Sequence, residues 1–155
     1  MNNEIIWSCL RFDELSTEDL YKILQLRAEI FVVEQDCAYQ DVDDFDQGGL
    51  HVMGQLSGDD EAQLVSYSRL LSPGAKYEGA SIGRVITKKS TRGGGVGKKL
   101  VLNSLAFCKK HWPGKVITIS AQLYLQTFYF ELGFETDSEP YDEDGIPHIR
   151  MQINP

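Results

Sequence analysis

A chain of 155 residues, 42% hydrophobic and 25% charged, has the size and composition of one globular domain with a proper core. Its formal net charge of −8 argues against a nonspecific nucleic-acid binder, which needs a basic surface to neutralise phosphates. No apolar run approaches the roughly 20 residues that span a bilayer, so neither nucleic acid nor membrane is expected as a partner.

The N-terminus, Met1 to Arg11, has no basic flank, long apolar region or small-residue cleavage site, which reads as a cytoplasmic protein. Cys9, Cys37 and Cys108 are odd in number, far apart and without C-x-x-C spacing, so neither a disulfide framework nor a zinc site is expected. The acids form two runs, from Glu34 to Asp46 and from Glu135 to Asp144. They read either as two solvated loops or as a cleft that attracts a cationic partner such as an amine.

No repeat, low-complexity tract or linker interrupts the chain, so residues 1–155 are expected to be one domain. Ile5 to Leu10 reads as a first strand. Ser16 is a good N-cap with Glu18 and Asp19 in the following turn, and the helix it starts runs to about Val33 with Leu20, Ile23, Leu24, Ile30 and Phe31 on its apolar side. Leu50, Val52 and Leu56 alternate with His51, Met53 and Gln55 as in a strand. A turn at Ser57-Gly58-Asp59-Asp60 leads to a returning strand, Ala62 to Leu71, and Ala80 to Thr87 follows as the next. A helix from about Val96 to His111 stops at Trp112-Pro113-Gly114. Val116 to Ala121 reads as a buried strand, Tyr124 to Leu132 as a short helix, and His148 to Ile153 as a strand after a segment from Phe134 and a turn at Asp144-Gly145. The order implies an α+β fold: a mixed, largely antiparallel central sheet with one βαβ crossover and flanking helices.

The crossover contains Thr91-Arg92-Gly93-Gly94-Gly95-Val96-Gly97-Lys98-Lys99-Leu100. A strand, a glycine turn and a helix start make an anion site, because the first helical N–H groups lack partners and the peptide dipoles add partial positive charge. It is not a P-loop: Arg92 stands where the first glycine belongs and Lys99 where Ser or Thr belongs. A dinucleotide fingerprint starting at Gly93 fails as well, since Lys98 falls on its last glycine.

Arg92-Gly93-Gly94-Gly95-Val96-Gly97 resembles motif A of the GCN5-related N-acetyltransferases, Arg-x-x-Gly-x-Gly, the turn that cradles the pyrophosphate of acetyl-CoA in that family. A second match begins at Gln122, where members typically read Asn-x-x-Ala-x-x-Leu-Tyr-x-x-x-Gly-Phe. Tyr129, Gly133 and Phe134 agree; Leu125 replaces Ala, and Gln122 stands where Asn is usual, offering the same amide groups. The stretch Leu26 to Cys37, with Tyr39, Asp43 and Asp46, and the stretch Tyr141 to His148 resemble the ElaA-like branch, which is mostly bacterial. The resemblance covers essentially the whole chain and implies a GNAT-type fold whose βαβ unit binds acetyl-CoA.

Acetyl transfer to an amine needs a neutral amine, a polarised carbonyl and a protonated leaving thiolate. By resemblance, backbone N–H groups at Val85, Ile86 and Thr87 pair with the pantetheine chain. Arg92, Gly93, Gly94, Gly95, Val96, Gly97, Lys98 and Gln122 join Tyr129 in holding the cofactor. Tyr129 is also the expected proton donor to the thiolate. Candidates for the base are Glu34, Asp43, Asp44, His51 and His148; of these, Glu34 is expected to be catalytic with Tyr129, its other readings being a helix cap or an ion pair with Arg27. Lys98, Lys99, Lys109 and Lys110 are candidates for the 3′-phosphate, the last two reading more simply as a solvated helix face. No metal is expected: Asp41-x-Asp43 opens like a calcium loop, but Phe45 and Val52 occupy ligand positions. Cys108 falls on the packed helix face with no activating histidine spacing, so an acyl-cysteine is not expected.

The expected function is an acetyl-CoA-dependent N-acetyltransferase acting on a small-molecule or peptide amine by direct attack in a ternary complex. A non-catalytic acyl-CoA-binding module shares the same cofactor residues. A homodimer through the sheet edge is compatible with the superfamily.

Overall fold

A computed structural model describes residues 4–58 and 61–155. Met1 to Asn3 of the N-terminal reading, and Asp59 and Asp60 of the expected turn, lie outside the described residues. Eight strands form one sheet: β1 (Ile5–Arg11), β2 (Leu50–Leu56), β3 (Gln63–Leu71), β4 (Ala80–Thr87), β5 (Ile117–Gln122), β6 (Glu135–Thr136), β7 (Tyr141–Glu143) and β8 (Ile146–Ile153). Their order is β1-β2-β3-β4-β5-β8-β6, with β7 also pairing β8. Every pairing is antiparallel except β4 with β5, which are parallel as their connection through a helix requires.

Three α-helices flank the sheet: α1 (Thr17–Arg27), α2 (Val96–His111) and α3 (Gln126–Glu131). Ser16 caps α1, its hydroxyl accepting from the Asp19 N–H at 3.0 Å. The expected single helix to Val33 instead changes winding at Ala28. From there to Glu34 it is a π-helix, with wide-turn bonds from Gln35 N–H to Ile30 and from Cys37 N–H to Val32. The segment from Phe134, given no residue-bounded strand before His148 in the sequence reading, forms β6 and β7 ahead of β8, and α3 is preceded by a 3-10 turn at Leu123–Leu125.

Helices on both faces explain why β2 buries both sets of its alternating residues. Val52, Leu70, Ile82 and Ile119 pack under α2 through Leu100 and Leu105. Met53, Tyr67 and Ile86 face α1 through Ile23 and Leu26 on the other side. Truncating the fully buried Leu100 to alanine would cost about 2–5 kcal/mol. Among the described residues, no helix is long and apolar enough to cross a membrane.

The parallel pair is short. β4 meets β5 only at Ala80–Ile117 and Ser81–Thr118, then diverges. On its other side β4 carries a bulge: between the pairs Tyr67–Ile86 and Arg69–Gly83, Arg84 and Val85 stand opposite the single residue Ser68. Arg84 takes φ 53°, a left-handed conformation that an L side chain adopts at a cost. The bulge bends β4 away from β5 and opens a V in the middle of the sheet.

Candidate active site

The V widens into a cleft of about 980 Å³ lined by β4, β5, the glycine turn, α3 and the segment after α1. Lys88 N–H bonds Val65 O on β3. Strand alternation therefore turns the Ile86 backbone toward β3, and the Val85 and Thr87 backbones toward the gap. Ile86 buries its side chain in the α1 cluster.

The glycine turn ends this wall. Gly93 (φ 93°) and Gly95 (φ 77°) adopt left-handed conformations, and Gly95 caps α2 without a side chain. A Cβ on Gly93, Gly94 or Gly95 would meet nothing within 4 Å, so the turn is open on its outer side. The first turn of α2 carries no acid, and within the described residues the N–H groups from Gly93 to Lys98 have no acceptor. Free N–H groups at a helix start are the arrangement of an anion cradle. Lys98 lines the cleft, whereas Lys109 and Lys110 sit in the last turn of α2, roughly 20 Å from its start at the usual helical rise.

Arg92 lines the cleft at the start of this turn. Its guanidinium donates to both Glu34 oxygens, at 3.0 and 2.7 Å, and to Thr87 O at 3.0 Å. Glu34 therefore does not pair with Arg27 as one of its readings had it.

Arg27 is fully buried and is claimed by Asp41 at 2.8 Å and Asp46 at 2.6 Å. Asp46 also accepts from Arg69 at 2.9 Å, and Asp43 holds Arg69 through two bonds of 2.6 and 2.8 Å. Arg84 adds contacts to Asp41 and Asp43. The first acidic run is thus only in part a solvated loop: Asp36 and Asp44 are exposed, whereas Asp41, Asp43 and Asp46 are neutralised by three arginines from α1, β3 and β4. Burial works to raise the Asp43 carboxyl, but the bonds and charges of Arg69 and Arg84 hold it at about 2. Asp46 is likewise held low against burial, chiefly by Arg27. In the second run, Asp137 pairs with Arg150 and Glu143 with His148, while Glu135, Glu139, Asp142 and Asp144 are exposed.

His51 is spoken for as well. Its Nε2–H donates to Asp46 O at 2.9 Å, so Nδ1 accepts from the Tyr67 hydroxyl at 2.7 Å; burial lowers its proton affinity. Asp44 is exposed, at φ 65°. His148 lines the cleft, with Nδ1 2.7 Å from Ile146 O and Nε2 3.0 Å from Glu143.

Tyr129 lies at the opposite wall. Gly133 (φ 101°) ends α3 in a left-handed turn, and Phe134 N–H donates back to Tyr129 O at 3.1 Å. This turn drives Phe134 into the core, edge-on to the Tyr129 ring at 5.7 Å between centroids. The Tyr-x-x-x-Gly-Phe spacing is the sequence form of that cap. Tyr129 lines the cleft, and its hydroxyl has no protein partner among the described residues. Burial pushes its phenol well above the usual value, so it stays protonated. Gln122, also in the cleft, donates to Gln35 at 3.2 Å. Burial raises the Cys9 thiol to about 11 and Cys108 to about 12, so neither is a nucleophile at neutral pH. Among the described residues, no cluster of ligating side chains could hold a metal ion.

Sequence reasoning missed the arginine network, although arginines inside the apolar strands β3 and β4 beside an acidic run were a signal for it. It placed Tyr141 and Glu143 in a stretch resembling the family but gave them no role, and it missed Ser120, which carries no motif.

A sheet opened between two parallel strands, with a glycine cradle at one end and a buried tyrosine at the other, defines an acyl-CoA transferase architecture. Residues 29–155 match the acetyltransferase (GNAT) domain family, and the chain belongs to that family. It is 44% identical to protein ElaA of Escherichia coli over 149 residues, 95% of each chain, and 43% identical to a UPF0039 protein of Synechocystis over 148 residues, 96% of this chain and 94% of that one. The crystal structure of E. coli ElaA superposes with a TM-score of 0.88 over 97% of this chain and 99% of that one, at 43% identity. An acyl-CoA N-acyltransferase from Pseudomonas aeruginosa superposes with a TM-score of 0.87 at 39% identity, over 96% and 99% of the two chains.

Proposed function

We propose that the protein is an acetyl-CoA-dependent N-acetyltransferase that acetylates a primary amine of a small molecule or peptide by direct attack in a ternary complex. The observation that carries the reading is the continuity of the cleft: the glycine cradle, the gap-facing edge of β4 and Tyr129 open into the same space. The N–H groups from Gly93 to Lys98 would take the pyrophosphate, and Lys98 adds a nearby positive charge. Val85 and Thr87 would pair with the pantetheine amides and polarise the thioester carbonyl, with Ile86 as the packed residue that fixes the strand between them.

Tyr129 would protonate or hydrogen-bond the departing thiolate. A phenol above 10 facing a thiol near 8.5 makes full transfer uphill by at least about 2 kcal/mol. Its contribution is therefore mainly a donated hydrogen bond that stabilises the thiolate. Glu34, with both oxygens on Arg92, serves to position the glycine turn rather than to remove a proton.

Thiol release from acetyl-CoA, followed against a panel of amines, tests the reading. Amine-dependent turnover is expected, with Tyr129→Phe lowering kcat about 10²-fold while CoA affinity holds. Tight CoA binding by calorimetry with no turnover on any amine would instead favour a non-catalytic binding module.

A further inference from the structure

β5 and β8 bury Ile117, Ile119, Ile149 and Met151 against α2 and α3, and alternation sends Ser120, Gln122 and His148 to the opposite face. α1 covers only the β2–β4 part of that face through Met53, Leu64, Tyr67 and Ile86. The remainder is a polar wall of the cleft. There Ser120 bonds Tyr141, the Tyr141 ring stacks on His148 at 6.3 Å, and Glu143 lies 3.0 Å from His148 Nε2.

We infer that this wall is the subsite for the acceptor amine, with Glu143 holding its ammonium and His148 taking its proton. The inference rests on the proposed acetyltransferase function and adds the acceptor's charge and proton route. Nδ1–H must donate to Ile146 O, so the exchangeable position is Nε2; its 3.0 Å contact with the Glu143 carboxylate requires a proton on Nε2 and is therefore the imidazolium pair, which forms from the neutral ring when the ammonium gives up its proton. The other carboxylates on the cleft wall are engaged by arginine, Asp43 by Arg69 and Glu34 by Arg92, or stand exposed at Asp144 on the β7–β8 turn. Glu143 is thus the carboxylate whose partner is itself a titratable base.

The charged and titratable groups around His148 are Glu143 and Tyr141 from β7, Asp144 from the turn, Tyr77 from the β3–β4 loop, and Arg150 from β8, which is turned to Asp137. The step balances as follows: neutral His148 accepts one N–H proton of R–NH3+ and becomes an imidazolium paired with Glu143. The amine lone pair then forms the C–N bond, and the C–S bond breaks. The second N–H proton ends on the thiolate, and His148 returns its proton to water.

Wild type, His148→Gln and Glu143→Gln would be compared for CoA affinity by calorimetry and for thiol release from pH 6 to 10, using n-propylamine, putrescine and a tripeptide with an unblocked N-terminus. CoA affinity should stay within two-fold in all three. His148→Gln should lose about 10²-fold in amine kcat/KM at pH 7, with the deficit shrinking as pH rises and the amine neutralises itself; Glu143→Gln should raise the amine KM. A deficit that is equal at every pH, or a variant that tracks wild type, overturns the subsite while leaving the acetyltransferase reading standing. Wild type that binds CoA but acetylates none of the amines overturns that reading and this inference with it. Nitrogen NMR of wild-type His148 gives a check that needs no variant: n-propylamine should shift its Nε2 resonance, and an unmoved resonance overturns the subsite.

Discussion

Glu34 and Arg92 meet through two parallel hydrogen bonds of 3.0 and 2.7 Å, joining the π-helical end of the first helix to the opening residue of the glycine turn. Their side chains remain 31% and 40% exposed, so the pair contributes at most about 1 kcal/mol to stability. Its effect is on geometry. Glu34→Gln should leave the melting temperature within about 2 °C while weakening CoA binding several-fold, because Arg92 loses its anchor. Calorimetry on the two proteins decides it; equal affinities would remove the positioning role.

Neighbouring glycines should respond differently to alanine. Gly95 sits at φ 77°, so Gly95→Ala strains the backbone by about 1 kcal/mol or more and lowers both stability and CoA affinity. At Gly94 the added Cβ meets nothing within 4 Å and no left-handed φ is involved. Gly94→Ala should therefore fold normally and lose CoA affinity at least tenfold, since the methyl fills space meant for phosphate. Paired denaturation and binding curves separate the two, and unchanged CoA affinity in Gly94→Ala would show that the ligand does not approach there.

Asp46 accepts from both Arg27 and Arg69 while almost wholly buried. Removing it takes one bond from each of two buried guanidiniums, while Asp41 still holds Arg27 and Asp43 still holds Arg69. Asp46→Ala should cost about 1–3 kcal/mol in urea denaturation. Val42→Ala, in the same loop but exposed, should cost under about 0.5 kcal/mol. Comparable losses in the two would mean that the loop, not the network, sets stability.

Acid should act in two stages. His51 has its proton affinity lowered from 6.5 by burial, so the unfolded chain binds that proton more readily; its stabilisation is complete above pH 6.5 and declines below it. Asp43, lowered from 3.8 to about 2, contributes stability above pH 3.8 that is lost as pH falls toward 2, at most about 2 kcal/mol. Urea midpoints measured from pH 8 to 3 should fall first below about 6.5 and again below about 4. His51→Gln should remove the first fall, and a curve flat from 8 to 4 would contradict the buried neutral imidazole.

The strand and helix pattern was legible in the chain wherever one rule governed a stretch. Hydrophobic alternation located β2, apolar runs between turn residues located β1, β3, β4 and β5, and glycine followed by an amphipathic repeat located α2 at Val96–His111. The glycine turn and the cap after α3 were legible for the same reason: a left-handed turn needs glycine, and the cap needs Gly133 next to a core residue, Phe134, so geometry writes itself into residue type. What only the tertiary structure decided is which charges meet. Asp41, Asp43 and Asp46 look like any surface acids until Arg27, Arg69 and Arg84 converge from three separate elements. The splay of β4 from β5 depends on a one-residue bulge at Arg84 that no local pattern marks. Likewise His148, Glu143, Tyr141 and Ser120 come together only because β7 and β5 flank β8. Local conformational demand is encoded residue by residue, whereas pairing between distant side chains depends on register and long-range contact, which a linear pattern does not carry.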